Sequence, residues 1–396
     1  MNMAAAGAVE LLKQLIGIPS VNPEHTQDAR IAGEERLSCF LAGYLEEQGF
    51  EVTWQDRETG RPNLVASYGP EQAPCTLLLE AHMDTVGVDG VPGHPFQARI
   101  EGGRLYGRGA CDCKGPMAAG LAALTADALE ALVGKGYRVL FAAVMGEETG
   151  NTGAMRLVQQ GLRADRAIVL EPTDLSIVHA HKGALWFEVH VAGRAAHGAN
   201  PEQGVNAIVG MARLLDRILL RHQEDRRRLH HETLGPPTLS VGQIHGGVAV
   251  NVVPDHCMMR IDRRTLPGED GSEILEGVEA ELDALLREGL LLGGELKVLK
   301  EGPPFHTDEN SELVQALGRA CERAGWPARR AGSGWYSDAG PLSTVCPEVV
   351  AFGPGSIRQA HTSDEFIELE SLHAGTVILS ELCRELKPAD AGREGA

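Results

Sequence analysis

The chain has few basic residues for its length. Its 396 residues contain 36 Lys and Arg against 55 Asp and Glu, which gives a formal net charge of −19. Nucleic acids and anionic membranes are bound through a basic surface that neutralises their phosphates. The charge balance therefore argues against both kinds of partner, and bound divalent cations would offset part of the negative charge.

Long apolar runs are also missing. No stretch approaches the roughly 18 consecutive apolar residues that suggest a membrane span. Residues 1–15 form a short amphipathic pattern with Glu10 and Lys13, without the basic start and the cleavage site of a secretory signal. We therefore expect a cytoplasmic protein with no membrane partner.

The eight cysteines show no paired spacing that would indicate a disulfide framework. In a chain of this size, scattered cysteines indicate buried or free thiols in a reducing compartment. Aromatic residues make up only 4% of the chain, whereas apolar residues make up 43%. This composition is typical of an α/β protein rich in Ala, Leu, Val and Gly, and the length predicts two domains.

Helix and strand patterns alternate along most of the chain. Helices are predicted near residues 4–16, 31–48 and 117–132, and strands at residues 51–55 and 63–67. This alternation predicts a parallel or mixed sheet with helices packed on it. Only the tail, residues 388–396, lacks such a pattern, and we expect it to be disordered.

The pattern changes after residue 182. Strand, helix, strand, strand, helix and strand follow in turn at residues 184–192, 205–219, 238–245, 256–263, 272–288 and 295–300. This order is that of the split βαβ, or ferredoxin-like, sandwich. We predict an inserted α+β domain at residues 183–301, within an α/β domain formed by residues 1–182 and 302–396. His222, His230 and His231 fall in a charged helical stretch and are predicted to be solvated.

Acidic and imidazole side chains follow the strand-like runs of the predicted α/β domain. They are His82 and Asp84 after residues 75–81, Asp112 in a Gly-rich turn, Glu147 and Glu148 after residues 139–145, Glu171 after residues 167–170, and His361 after residues 349–355. Loops that leave the carboxyl ends of parallel strands converge on one crevice. Carboxylates and neutral imidazoles are ligands for hard and borderline divalent metals. The sequence therefore predicts a two-metal site.

Five of these groups can be assigned as metal ligands. His82 could bind one metal through a ring nitrogen. Asp112 has two oxygens and can bridge two cations about 3.5–4 Å apart. Glu148 and His361 could then complete one metal, and Glu171 the other.

Two carboxylates of the set are left for other roles. Asp84 could hold the imidazole or a neighbouring backbone in place. Glu147 is predicted to be the general base, which takes a proton from the attacking water and passes it to the leaving amine. Cys111 and Cys113 flank Asp112, but their two-residue spacing puts both thiols on the opposite side of an extended segment from Asp112. We interpret these cysteines as structural.

The ordered motifs resemble those of a known family. The pattern His82-x-Asp84, Asp112-x-Lys114-Gly115, Glu147-Glu148, Glu171-Pro172, His197-Gly198 and a late His361 is similar to dinuclear zinc metallopeptidases and deacylases. That family includes acetylornithine deacetylase, succinyl-diaminopimelate desuccinylase, aminoacylase and glutamate carboxypeptidase. The resemblance spans nearly the whole chain. It implies two Zn²⁺ ions, for which Co²⁺ can substitute, at His82, Asp112, Glu148, Glu171 and His361.

The resemblance also implies a role for the inserted domain as a lid and dimerisation module. His197, in the stretch GRAAHGANPEQGVNAI, matches the family histidine that reaches an active site across the dimer and stabilises the tetrahedral oxyanion. A donor placed where charge develops lowers the barrier of the reaction. We therefore expect a homodimer with His197 as a catalytic residue.

Three stretches are similar to acetylornithine deacetylase in particular: GQIHGGVAVN, DRRTLPG and GPGSIRQAHTSDE. They imply the hydrolysis of N-acetylornithine to ornithine and acetate, a step of arginine biosynthesis, with Asn251, Arg264 and Gly353 at the substrate. The Arg264 guanidinium offers a bidentate fork for an α-carboxylate. It could equally form a structural ion pair with Asp262.

Some residues depart from that subfamily. Met83 stands where the subfamily carries threonine, and the stretch GSGWYSDAG is similar to related deacylases and desuccinylases. A desuccinylase, another N-acyl amino acid deacylase, or a dipeptidase or carboxypeptidase of the same family is therefore an alternative. A metal-binding protein without catalysis is a further one. Such a protein would lack a base or a ligand, whereas Glu147 and all five ligand candidates are present.

Overall fold

The computed structural model describes residues 3–389, with side chains from residue 7 onward. Most of the tail for which disorder is predicted lies outside these residues. The chain divides into two compact units. The larger unit runs to His179 and takes up the chain again over His306–Ala331 and from Ser337, and the smaller unit contains Ala180–Phe305 and Gly332–Tyr336.

The helices are α1 (Met3–Ile16), α2 (Glu35–Glu47), α3 (Lys114–Ala123), α4 (Ala126–Gly134), α5 (Glu147–Gly150), α6 (Thr152–Gln159), α7 (Ala207–Arg228), α8 (Gly271–Arg287), α9 (Glu312–Arg323), α10 (Ala339–Ser343) and α11 (Leu369–Glu385). The strands are β1 (Glu51–Gln55), β2 (Asn63–Tyr68), β3 (Cys75–His82), β4 (Arg99–Glu101), β5 (Arg104–Tyr106), β6 (Tyr137–Val144), β7 (Arg166–Val169), β8 (Ile177–His181), β9 (Ala184–Ala192), β10 (Thr238–Gly246), β11 (His256–Arg264), β12 (Gly293–Gly302), β13 (Phe305–His306), β14 (Arg330–Ser333), β15 (Glu348–Ala351) and β16 (Phe366–Glu368).

A mixed sheet forms the centre of the larger unit. Its strands follow the order β1-β2-β6-β3-β7-β15-β8-β13, and β14 pairs with β8. The pairs β3/β6, β3/β7 and β7/β15 are parallel, whereas β1/β2, β2/β6 and β8/β15 are antiparallel. Strands β3, β6, β7 and β15 are buried along nearly their whole length. A parallel strand that is covered on both faces has a continuous apolar sequence, and these four strands precede all the predicted ligands except Asp112.

Helices α3 and α4 correct the prediction of one helix at residues 117–132. The chain breaks at Leu124 and Thr125, and the two helix axes are bent by 68°. The Thr125 side chain accepts a hydrogen bond from the Ala128 backbone N–H at 3.3 Å, which caps α4. No single helix among the described residues is long and apolar enough to cross a membrane, although this bent pair passes by length and composition.

The smaller unit is built on an antiparallel sheet with the strand order β10-β11-β9-β12. Helices α7 and α8 contribute apolar side chains to the same core as the sheet, among them Leu214, Ile218 and Leu285. The order β9-α7-β10-β11-α8-β12 is the predicted ferredoxin-like order. Together with the mixed sheet of the larger unit, it confirms the predicted fold class.

His222 corrects another prediction, since it is buried and not solvated. Only 7% of the residue is exposed, and it continues the buried stripe of α7 four residues after Ile218. Burial and the nearby Arg263 and Arg226 guanidinium groups lower the pKa of His222 to about 4. The helical spacing from Ile218 was the signal in the sequence, and the charged neighbours obscured it. His230 is exposed, as predicted, whereas His231 is partly buried and its Nδ1 accepts the Thr233 backbone N–H at 3.2 Å.

The buried His222 predicts an acid-sensitive contribution to stability. In the unfolded chain its imidazole binds a proton below about pH 6.5, whereas the folded protein resists protonation until about pH 4. The unfolded state therefore binds more protons in this window, and the free energy of unfolding falls as the pH drops through it. The His222→Leu variant lacks this imidazole, so its free energy of unfolding should not fall for this reason as the pH drops. The difference in Tm between variant and wild type should be larger at about pH 4.5 than at about pH 7.

The matched control is His230→Leu, since His230 is exposed in the same stretch of chain. Its Tm difference from the wild type should not vary with pH. If the Tm difference between His222→Leu and the wild type also did not vary with pH, His222 would not be the acid-sensitive group.

Candidate metal centre and active site

Most of the predicted ligands follow strands of the mixed sheet, whereas Asp112 lies two residues before α3. His82 is the last residue of β3, Glu147 and Glu148 begin α5 just after β6, and Glu171 follows β7 by two residues. Gly146 has a φ of +70°, which lets the chain turn between β6 and α5. His361 follows β15 in a loop and itself has a φ of +62°.

Asp112 faces both imidazoles of the candidate site. Its Oδ1 lies 3.0 Å from His82 Nε2, and its Oδ2 lies 3.4 Å from His361 Nε2. The same His361 nitrogen lies 2.9 Å from Glu148 Oε2. One ligand atom each from His82, Asp112 and Glu148 lies within 4.8 Å of the others, a spacing that could hold a metal ion. The side chains predicted from the sequence therefore converge, and the Asp112 carboxylate lies between the two imidazoles.

Glu171 lies buried close to this cluster. Only 5% of the residue is exposed. Burial raises the pKa of Glu171 well above its ordinary value, and the charges of Asp112 and Glu147 act in the same direction. The hydrogen bonds that the His361 imidazole donates to the Asp112 and Glu148 carboxylates raise its pKa to about 10.

Asp84 organises the backbone around the site. The His82 Nδ1–H donates to the Asp84 carbonyl oxygen at 2.9 Å, which directs Nε2 toward Asp112. The Asp84 carboxylate accepts the backbone N–H groups of Glu147 and Glu148 at 3.1 and 3.2 Å, and the Asn22 amide at 2.7 Å. Asp84 thus contacts the surrounding residues through two groups, its backbone carbonyl and its carboxylate.

Glu365 supports the loop of Asp112 and had no predicted role. Its carboxylate accepts the backbone N–H groups of Gly109, Cys111 and Asp112 at 2.8–3.0 Å, and Arg108 pairs with it at 2.8 Å. Both side chains of the ion pair are almost fully buried. Glu365 ends the HTSDE motif that also contains His361, so it ties the two ligand loops together.

The two cysteines beside Asp112 lie buried as free thiols. Cys113 Sγ donates to the His82 carbonyl and Cys111 Sγ to the Ser356 carbonyl, both at 3.2 Å. Burial raises the pKa of each thiol. Neither thiol is therefore suited to act as a thiolate, which agrees with the structural interpretation.

Asn151 and Asp338 are further residues that sequence reasoning missed. Both are about 1% exposed. The Asn151 amide donates to Glu147 Oε1 at 2.9 Å and to Asp338 Oδ1 at 3.0 Å. Glu80 on β3 is also fully buried, and burial together with Asp338 raises its pKa well above the ordinary value. Asp338 falls in the quoted GSGWYSDAG stretch, but its contact with Asn151, 187 residues away, leaves no local signal.

The remaining predicted residues lie in both units. His197 is exposed in the smaller unit, and its Nδ1 accepts the Ala199 backbone N–H at 3.1 Å. The Asn251 carbonyl accepts the Gly198 N–H at 2.8 Å, so Asn251 lies beside His197. Gly353, in the larger unit, lies against the turn of Glu171: a Cβ there would be 2.7 Å from the Glu171 carbonyl oxygen. Glycine is therefore required at this position by packing.

Arg264 of the smaller unit forms an ion pair with Asp262, the alternative that the sequence left open. The Arg264 Nε lies 2.9 Å from Asp262 Oδ1, and its Nη2 donates to Oδ2 at 3.1 Å. Both donors of the fork are thus directed at Asp262. A substrate carboxylate at Arg264 would have to share or displace this partner.

Comparison with known proteins places these features in a family. The sequence pattern of peptidase family M20/M25/M40 matches residues 78–385. The chain is similar to the acetylornithine deacetylase of Myxococcus xanthus, with 34% identity over 351 residues, or 85% of this chain and 88% of that one. It is 33% identical to the acetylornithine deacetylase of Photorhabdus laumondii over 395 residues, or 96% and 98% of the two chains.

A solved structure supports the fold assignment. A dinuclear metal-binding peptidase of the M20 family from Bacillus subtilis matches with a TM-score of 0.71 and 16% identity, over 97% of this chain and 98% of that one. At this identity the likeness bears on the fold alone.

The buried Arg108–Glu365 pair predicts a large loss of stability in Glu365→Gln. The variant leaves Arg108 buried without its carboxylate and weakens three backbone hydrogen bonds. Breaking a buried ion pair from one side costs about 3–5 kcal/mol. Glu368→Gln is the matched control, because Glu368 pairs with Arg104 where both side chains are about half exposed, and exposed pairs contribute about 0–1 kcal/mol. Chemical denaturation of both variants checks this difference, and equal losses would contradict it.

Proposed function

The chain belongs to peptidase family M20/M25/M40 and is a metal-dependent hydrolase, and from that premise we propose that it hydrolyses the amide bond of N-acetylornithine at a dinuclear zinc site. The observation that carries this proposal is the cluster around Asp112. One carboxylate faces two imidazoles, and the flanking carboxylates come from the ends of adjacent parallel strands.

The residues of the cluster fit a pair of divalent cations. Glu148 Oε1 is buried and has no hydrogen-bond donor among the described residues. Burying an oxygen without a hydrogen-bond donor costs free energy, and a cation bound there would compensate for the missing donor. One ion would be held by His82 and Glu171 and the other by Glu148 and His361, with Asp112 as the bridge. When bound, the ions would polarise the amide carbonyl and acidify the attacking water.

Glu147 would move the proton in this reaction. Its carboxylate would take the proton of the attacking water and deliver it to the leaving amine. Asp84 holds the backbone N–H of Glu147, and Asn151 donates to its carboxylate. His197 would donate a hydrogen bond to the oxyanion, a contact whose loss costs roughly 2.7–4 kcal/mol.

The relatives and the quoted stretches support N-acetylornithine as the proposed substrate. Two relatives named acetylornithine deacetylase share about a third of their residues with this chain. The family also contains peptidases, as the Bacillus subtilis neighbour illustrates. A succinyl-diaminopimelate desuccinylase or a dipeptidase is therefore the second candidate. With N-acetylornithine as substrate, we propose a cytoplasmic enzyme of arginine biosynthesis in which Asn251, Arg264 and Gly353 lie at the substrate.

A substrate panel tests this proposal. The zinc-loaded protein should show its highest kcat/KM with N-acetylornithine, ahead of N-succinyl-diaminopimelate and a set of dipeptides. Chelation should abolish turnover, and Zn²⁺ or Co²⁺ should restore it. A preference for another member of the panel would reassign the substrate, and no turnover of any member would refute the proposed activity.

The bridging role of Asp112 predicts the metal content of two variants. Wild-type protein should bind about two equivalents of zinc per chain. Asp112→Ala should lose occupancy at both positions, because both ions share this ligand, whereas Glu147→Gln should keep both. Elemental analysis of the desalted proteins measures the content. Retention of two ions by Asp112→Ala would rule out the bridge.

Exposed apolar residues near His197 support the proposed homodimer. Val248 and Val250 after β10, and Ile208 and Val209 at the start of α7, are all at least 40% exposed. His197 itself pairs with Val252 in an isolated bridge beside them. Strand β10 also forms an open edge of the four-stranded sheet, and edges can pair with a second chain. We propose that this surface meets its copy across a two-fold axis and that His197 acts in the partner's site.

Subunit mixing tests the action of His197 in trans. Glu147→Ala and His197→Ala chains should each be inactive, but a heterodimer would contain one site with both groups intact. Statistical exchange of equal amounts should restore about a quarter of wild-type activity, since half of the dimers would then have one working site. If exchange is demonstrated and activity stays at background, His197 does not act across the dimer.

A further inference from the structure

Asn151 links the proposed general base to the body of the larger unit. The residue lies between α5 and α6 and ends the first helix while it begins the second. Its φ and ψ of +58° and +30° are in the left-handed region, which asparagine tolerates better than most residues. Only 1% of it is exposed. A buried polar side chain in an unusual backbone conformation needs its hydrogen bonds satisfied.

The Asn151 side chain satisfies them between two carboxylates. Its Nδ2 donates to Glu147 Oε1 at 2.9 Å and to Asp338 Oδ1 at 3.0 Å. An amide nitrogen carries two N–H donors and no charge. It can therefore donate to two carboxylates at once, whereas a hydroxyl group has only one hydrogen to donate.

These hydrogen bonds hold both the backbone and the side-chain carboxylate of Glu147. The Asp84 carboxylate accepts the Glu147 backbone N–H, and Asn151 donates to the Glu147 side chain. Helix α5 has only four residues, so it cannot by itself fix the direction of a glutamate side chain. Asp338 begins α10, in a distant part of the chain, and limits the rotation of the Asn151 amide.

Resting on the role proposed above for Glu147, we propose that Asn151 is a positioning residue for the general base. Its amide directs the Glu147 carboxylate toward the attacking water, and Asp338 holds the amide in the orientation that does so. Proton transfer requires the base within hydrogen-bond reach of the proton. Loss of the amide should therefore lower the rate of the chemical step and leave substrate binding and metal ligation in place.

Two variants of Asn151 remove its pair of N–H donors and keep the backbone conformation. Asn151→Gly tolerates a positive φ, and Asn151→Asp keeps the shape but replaces the NH₂ group by an oxygen that carries at most one hydrogen. Each should lower kcat by about 10- to 100-fold, part of the 10²- to 10⁴-fold effect of a general base, with KM within about twofold and the zinc content unchanged. Asp56→Asn is the control, because Asp56 also has a positive φ but lies outside the site.

Asp338 variants separate its hydrogen-bonding role from its charge. Asp338→Asn keeps an acceptor oxygen for the Asn151 amide, and its kcat should stay within about threefold of the wild type. Asp338→Ala removes the acceptor and should reproduce the loss seen in the Asn151 variants. Equal effects of the two changes would overturn the role given to Asp338.

A double-mutant cycle distinguishes positioning from general structural support. Glu147→Asp shortens the base by one methylene, so its carboxylate loses the reach to Asn151. In that background Asn151→Gly should cost much less than in the wild type, because residues that act as one unit are non-additive. An undiminished cost, or a parallel loss of zinc, would show that Asn151 supports the fold and does not act through Glu147.

Failure of this proposal can be told from failure of the proposed function. If Glu147→Gln retained turnover, Glu147 would not be the general base. If Glu147→Gln were inactive and Asn151→Gly had a normal kcat, only the positioning role of Asn151 would be overturned. Crystal structures of the Asn151 variants give a readout that needs no substrate: the Glu147 carboxylate should leave its present position or occupy several rotamers. A single unchanged position would contradict the proposal.

Discussion

An excess of buried negative charge is the constraint on which the rest of the site depends. A largely buried space contains the His82 imidazole and the carboxyl groups of Glu80, Asp84, Asp112, Glu147, Glu148, Glu171 and Asp338. The exposed His361 imidazole lies beside it, against Asp112 and Glu148. Burial raises the pKa values of Glu80, Glu147 and Glu171 well above the ordinary value. Like charges at this density cannot all ionise without compensation. Two divalent cations would supply it, and the same cations would supply the chemistry of amide hydrolysis.

The fold positions these side chains by the same kind of contact in two places. Parallel strands bring the loops of His82, Glu147 and Glu171 to one edge of the sheet, whereas Asp112 lies between β5 and α3. A carboxylate that is not a proposed ligand holds the turn of Glu147 and the turn of Asp112 by their backbone N–H groups. Asp84 holds the turn of Glu147 and Glu148, and Glu365 holds the turn of Asp112. In each case the ligand side chain is left free to face inward. The supporting residues therefore matter as much to the geometry as the ligands do.

Much of this arrangement could be predicted from the sequence because the signals are local. Apolar runs predicted the strands that precede His82, Glu147 and Glu171, and the order of strands and helices predicted the ferredoxin-like unit. The supporting contacts could not be predicted, since Glu365 and Asp338 meet their partners across 253 and 187 residues. His222 was misjudged because charged neighbours suggested a solvated face, whereas its helical spacing placed it in the core. Local patterns predict which elements form, and long-range hydrogen bonds decide which polar groups serve the site.

The most direct test of the central claim is an anomalous diffraction measurement at the zinc edge on crystals of the zinc-loaded protein. Two peaks should flank the Asp112 carboxylate, about 3.5–4 Å apart. One should lie within bonding distance of His82 and Glu171, and the other within bonding distance of Glu148 and His361. A single peak, or two peaks that do not share Asp112, would contradict the dinuclear centre.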